Sequence, residues 1–166
     1  MIDDGRVLGK SSEETMRDLK IVLDTFMRSG WNIQWAKTSD EVTRQLYHQG
    51  FVTNTVLMKY ELPDFKIKHL EKQIEELKPT IKLLGFSRII GKLMSAARAI
   101  GPMMNVMLRS SHQLLASAVC AEGDDAWDKY FPISNNIRED LSFIYFNMRV
   151  YNGQPIINGR SNGSLY

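Results

Sequence analysis

The stretch GFSRIIGKLMSAARAIGP, residues 85–102, decides how the chain is read. Phe86, Ile90, Leu93, Ala97 and Ile100 recur at helical spacing and share one face. At about 100° per residue, Arg88, Lys92 and Ser95 fall nearly opposite, with Arg98 on the flank. One side of such a helix packs into a core while the other meets solvent or phosphate. The pattern predicts a helix capped by Thr80 and running to about Ile100. Gly101-Pro102 ends it and places Pro at the first turn of a further helix.

On the N-terminal side of this stretch, Ile67, Leu70, Ile74 and Leu77 form a narrow helical stripe among Lys66, Lys68, Glu71, Lys72 and Glu75. Pro63-Asp64 starts that helix and Lys78-Pro79 breaks it. On the C-terminal side, Met103, Val106, Met107, Leu114, Leu115 and Ala118 predict another buried helix, with the methionines as core filler. AEGDDAWDKYFPIS, residues 121–134, reads as an acidic loop anchored by Trp127, in which Asp124-Asp125 is a solvated turn before it is a metal site. Ser134 or Asn135 caps a last helix whose Ile137, Leu141, Ile144, Tyr145 and Met148 face one way. NGQPIINGRSNGSLY, residues 152–166, reads as a linker or an unfinished edge.

The N-terminal third is more strand-like. RQLYHQGFVTNTVLMKYEL, residues 44–62, reads as a hairpin with Asn54 near its turn and Val56, Met58 and Tyr60 alternating. Before it, Trp31 to Trp35 alternates like a short strand. Ser11 and Glu14 fit a capping box. Met16, Leu19, Val22, Leu23, Phe26 and Met27 then follow at helical spacing until Gly30 stops the helix. The chain opens MIDDGRVL, where Asp3-Asp4-Gly5 has turn chemistry and Arg6-Val7-Leu8 returns as a strand.

Composition bounds these readings. With 166 residues, 43% apolar and 24% charged, the chain can bury one respectable core or two small ones. No apolar run approaches a membrane span, so no membrane partner is expected. The first residues lack the layout of a signal peptide, so an intracellular setting, cytoplasmic or nuclear and not secreted, is the expectation. Cys120 is the single cysteine, which excludes an internal disulfide and a multi-cysteine zinc site. His48, His69 and His112 have no ligand spacing. Charge is uneven: residues 1–65 carry 8 basic and 10 acidic side chains, 66–109 carry 9 and 3, and 110–166 carry 4 and 6. Only the middle block is basic, which fits phosphate binding or a solvated lysine-rich helix surface.

Taken in order, the pieces resemble the second half of a reverse transcriptase, closest to those of retrotransposons that also encode a tyrosine recombinase. MIDD is similar to the family's aromatic-x-Asp-Asp motif at the tip of the palm hairpin. SSEETMRDLKIVLDTFMRSGWNIQWAKTS resembles the following palm helix and its lysine-bearing turn. YHQGFVTNTVLMKYELPDFKI is similar to the primer-grip hairpin and the entry to the thumb. GFSRIIGKLMSAARAIGP resembles the Gly-Lys-Leu-x-Ser thumb helix, and AWDKYFPISNNIREDLSFIYFNM the segment before a ribonuclease H domain.

The resemblance implies an α+β, helix-rich fold: a partial palm at 1–62, a helical thumb and connection at 63–151, and a linker at 152–166 towards a ribonuclease H domain. It implies RNA-templated DNA synthesis by two-metal nucleotidyl transfer, with Mg2+ or Mn2+ as cofactor and a primer–template duplex and nucleotide as partners. Clustered hard oxygen ligands are what such metals require. By the same resemblance, Asp3 and Asp4 are catalytic metal ligands and Lys37 protonates the pyrophosphate leaving group. Gln49, Gly50 and Phe51 form the primer grip, while Lys66, Lys68, Lys72, Arg88, Lys92 and Arg98 line the duplex. Two alternatives stand beside it, a non-catalytic nucleic-acid-binding module using the basic face and a structural helical protein with a protein partner.

The family's other essential Asp, its nucleotide pocket and its fingers are expected upstream of Met1. The chain therefore reads as a fragment, and the 166-residue protein alone is expected not to polymerise. Primer extension with Mg2+ or Mn2+ checks this: no extended product is expected, and metal-dependent extension would contradict it.

Overall fold

The computed structural model describes residues 5–39 and 41–156. The chain is α+β and helix-rich, as expected. It divides into two compact units, one ending at Arg44 and one starting at Gln45. The hairpin expected in a palm with residues 1–62 therefore belongs with the helices that follow it. The motif residues Asp3 and Asp4 lie outside the described residues.

In the first unit, helix α1 (Ser12–Arg28) starts as its sequence predicts. Ser11 Oγ accepts from the Glu14 N–H at 3.1 Å, and the Glu14 carboxylate accepts from the Lys10 N–H at 2.9 Å. Gly30, at φ +77°, turns the chain away. Trp31 to Trp35 is not a strand. Trp31 instead folds back on Phe26, with ring centroids 5.7 Å apart, and Trp35–Lys37 closes a 3-10 turn. Alternation of two tryptophans over five residues satisfies a strand pattern without supplying a partner strand.

The second unit is built around helix α3 (Leu83–Ile100). Its Phe86, Ile90, Leu93 and Ile100 are essentially inaccessible to solvent. They pack against Ile67 and Leu70 of α2 (Asp64–Glu75), and against Ile137, Leu141, Ile144 and Met148 of α6 (Asn135–Tyr151). Two shorter helices, α4 (Met103–Met107) and α5 (Arg109–Glu122), replace the one expected after Gly101. Their buried face is Met104, Leu108, Ser111 and Ala118, which leaves Val106 exposed.

A four-stranded antiparallel sheet closes one side, in the order β1 (Gln45–His48), β2 (Phe51–Asn54), β3 (Lys59–Glu61) and β6 (Gln154–Pro155). It holds two turns where one was expected. Gln49-Gly50 is a two-residue loop, and Asn54 ends β2 by accepting from the Val56 and Leu57 N–H groups at 3.1 and 3.0 Å. Val56 and Met58 thus sit in the second turn, exposed, and do not alternate in a strand.

Thr80 does not cap α3. Residues Thr80–Lys82 form β4, paired antiparallel with β5 (Tyr130–Pro132), and the helix begins at Leu83 with no side-chain cap. The acidic loop is a 3-10 turn over Gly123–Asp128 that leads into β5. Ala126 is its most buried residue, while Trp127 is only partly covered.

Within the stretch read as a linker or an unfinished edge, residues 152–156 are described: they bring the edge strand β6 to the sheet and finish the C-terminus of α3. A helix leaves its last carbonyls without intrahelical partners. Here the Gly153 N–H donates to the Ala99 carbonyl at 2.9 Å, and the Gln154 side chain donates to the Ile100 carbonyl at 3.0 Å. Asn152 grips Leu62 in both directions, accepting from its N–H at 2.8 Å and donating to its carbonyl at 3.0 Å. Gly101, at φ +105°, is pressed against the Gln154 side chain, so a Cβ there would collide with it.

Helices α2 and α6 are tied by charge at the rim. Arg149 donates two hydrogen bonds to Glu71, each 2.8 Å, and one to Asp64 at 2.7 Å. Tyr145 donates to Glu75 at 2.5 Å, which raises the phenol's pKa. Hydrogen bonds from Lys68 and then Arg149 hold the Asp64 carboxyl below its ordinary value of 3.8. A lowered folded-state pKa contributes stability above pH 3.8 and loses it as pH falls through the folded value. Asp64 is more than half exposed, so solvent screening keeps that step small. Thermal melts across acidic pH are expected to show a drop that Asp64→Asn reduces; identical profiles would contradict this role.

Candidate nucleic-acid interface

The outward face of α3 is built by residue spacing. Once Phe86, Ile90 and Leu93 are buried, the 100° advance leaves Arg88, Gly91, Lys92 and Ser95 in solvent. No Asp or Glu occurs in α3, nor anywhere in residues 77–121, which hold Lys78, Lys82, Arg88, Lys92, Arg98 and Arg109. That acid-free run is the signal that counting charge by thirds of the chain obscured.

Gly91 adds shape to charge. Nothing lies within 4 Å of where its Cβ would stand, so core packing does not require glycine there. In an exposed helix interior it costs about 1 kcal/mol relative to alanine. A bare backbone between two cations lets a phosphate chain approach the helix closely.

Lys92 is joined to α2 through His69, Nζ to Nε2 at 3.4 Å. An ammonium only donates, so the imidazole Nε2 is the acceptor in this contact. One turn towards the start of α2, Lys66 leans over the Phe51 ring, 5.8 Å from its centroid, and its Nζ fills the space above Gly50. Gln49 and Gly50 have φ of +49° and +87°, the left-handed pair that a two-residue hairpin loop demands. Glycine takes this conformation freely. Glutamine does not, so the tip holds local strain on the order of 1–3 kcal/mol.

The structure brings together Gln49, Gly50, Phe51 and Lys66 at the hairpin tip, and Lys92 of α3 with His69 of α2. It sets two of the predicted cations apart. Lys68 is paired with Asp64 at 2.7 Å and Lys72 with Glu76 at 3.7 Å. Arg98 stacks over the Tyr60 ring at 4.8 Å, beside a shallow cleft bordered by Asn105 and Gln154. Arg88 has no acidic partner among the described residues. Lys37 is exposed at the end of its 3-10 turn in the first unit.

No family model, curated protein or solved structure matches the chain. The interface is therefore read from its own chemistry. Among the described residues, no group of three or more His, Cys, Asp or Glu side chains is placed to hold a metal ion. No helix there is long and apolar enough to cross a membrane.

The arrangement can do one thing well. Fixed cations on a rigid helix, with an open backbone position among them, bind a polyanion through its phosphates without reading sequence. His69 and Tyr60 were missed as site residues because each contacts a cation distant in sequence, and Gly91 because its open position beside Arg88 and Lys92 follows only from burial of the opposite face of α3.

Proposed function

We propose that this chain is the duplex-holding part of a reverse-transcriptase-like polymerase, and that it binds the phosphate backbones of a primer–template duplex. The observation that carries the reading is the outward face of α3, where Arg88, Gly91, Lys92 and Ser95 stand together with no acidic residue in the helix. The order of the motifs supports the family half of the proposal. The glycine-bearing tip at Gln49-Gly50, braced by Lys66, suits a backbone contact with a primer strand.

In this reading the second unit holds the duplex as primer grip and thumb. Asp3 and Asp4 would present carboxylates to Mg2+ or Mn2+, and Lys37 would stand near the leaving group. The setting is intracellular, which the exposed, unpaired Cys120 fits. A second reading, a helical interaction protein, is favoured by one feature. Phe143, Phe146 and Val150 form an exposed stripe on α6, with Phe146 and Val150 74% and 76% accessible.

Fluorescence anisotropy with a labelled RNA–DNA hybrid separates the two. The proposal expects binding whose logarithm falls steeply with log salt, as for several phosphate contacts. Arg88→Glu and Lys92→Glu should each weaken it about 10-fold or more. Gly91→Ala should raise folding stability by about 1 kcal/mol while weakening hybrid binding. No hybrid binding, or binding indifferent to salt and to these substitutions, would overturn the proposal.

A further inference from the structure

The contact between His69 and Lys92 places a titratable ring against a cation of the α3 face. The imidazole Nε2 accepts from the Lys92 ammonium across 3.4 Å, so the ring is neutral in this contact and draws Lys92 towards α2. Both side chains are exposed. An anion that reaches Lys92 therefore arrives beside the imidazole as well.

The charges around the ring set its response. On α3 these are Lys92 and, one turn earlier, Arg88, and neither pairs with an acid among the described residues. On α2, Lys66 lies one turn before His69 and leans over Phe51, while Lys72 lies one turn after it and is paired with Glu76 at 3.7 Å. Glu76 itself is about two turns away along the helix. Asp64, Glu71 and Glu75 fall about 120–160° round the helix from His69 at 100° per residue. There Arg149 and Tyr145 of α6 engage them. The charge in contact with the ring is thus the Lys92 ammonium, which opposes a second positive charge beside it. A phosphate bound at the same place reverses that effect, because an opposite charge within about 4–6 Å favours the protonated ring.

We propose that His69 is a positioning residue whose protonation is coupled to phosphate binding. Neutral, it holds Lys92 between α3 and α2. With a backbone phosphate on Lys92 it takes up one proton from solvent, so that imidazolium and ammonium donate to the same anion. This rests on the nucleic-acid reading above and adds a proton to the bound state. Coupling of two ligands is reciprocal, so the proton tightens phosphate binding as much as phosphate tightens proton binding. Affinity then rises as pH falls through the range in which histidine changes charge, about pH 5 to 8.

The test is fluorescence anisotropy of the full chain with a labelled RNA–DNA hybrid at fixed salt, from about pH 8 to about pH 5.5. Wild type should tighten by about 10-fold over that range, the effect of one proton held about tenfold more strongly in the complex. His69→Gln can still accept from Lys92 but carries no charge. It should match wild type at the alkaline end and lose most of the rise. His69→Arg, charged throughout, should bind at the alkaline end about as tightly as wild type does at the acidic end. Equal slopes in wild type and His69→Gln would put the proton elsewhere, on His48 or His112, and overturn the inference. A uniform loss in both variants at every pH would make His69 a structural spacer and overturn it too. In either case, salt-sensitive binding that Arg88→Glu weakens leaves the phosphate reading standing. If wild type binds no hybrid at any pH, that reading and the proton coupling fall together.

Discussion

The second unit depends on the complete burial of one side of α3. Phe86, Ile90 and Leu93 can be dry only if α2, α6 and the sheet surround that helix, and each neighbour is placed by the demand. Burial alone leaves the last carbonyls of the helix without partners. The Gly153 N–H and the Gln154 side chain supply them, so a segment 54 residues downstream becomes part of the helix end. Sealing α3 on one side fixes which of its residues remain outside, and these are the cations and the bare glycine.

That coupling links stability to the proposed phosphate-facing surface without a separate device. The hydrophobic face sets the helix rotation and hence the direction of Arg88 and Lys92. The clamp at 152–154 fixes the C-terminal turn that carries Arg98, whose guanidinium rests on Tyr60 of β3. Lys66 joins the hairpin tip to α2, and His69 joins α2 to α3. A surface assembled from rigid elements in this way presents charge at fixed spacing, which suits a regular polyanion.

Much of this was legible in the sequence. Helical periodicity placed α1, α2, α3 and α6, and the capping residues Ser11 and Ser134 stand where their spacing puts them. Short strands were not legible. Thr80–Lys82 and Tyr130–Pro132 are three residues each, and residues 83–129 separate them. Each becomes a strand only through the other, so no local pattern reveals it. The same reason hid the clamp, because Asn, Gly and Gln in a row read as loop until Leu62 and Ile100 stand beside them. Val106 misled in the opposite sense: the face that packs runs through Met104, Leu108, Ser111 and Ala118, and Val106 falls outside it. For the site, the cations were readable but their partners were not, so Lys68 and Lys72 looked equivalent to Arg88 until Asp64 and Glu76 were seen to neutralise them.

Mapping backbone amide shifts of the labelled chain during titration with an RNA–DNA hybrid tests the interface most directly. The account predicts the largest changes at Arg88, Gly91, Lys92 and Ser95 of α3, together with Gln49, Gly50 and Lys66. Changes confined to the Phe143, Phe146 and Val150 side of α6, with α3 silent, would contradict it.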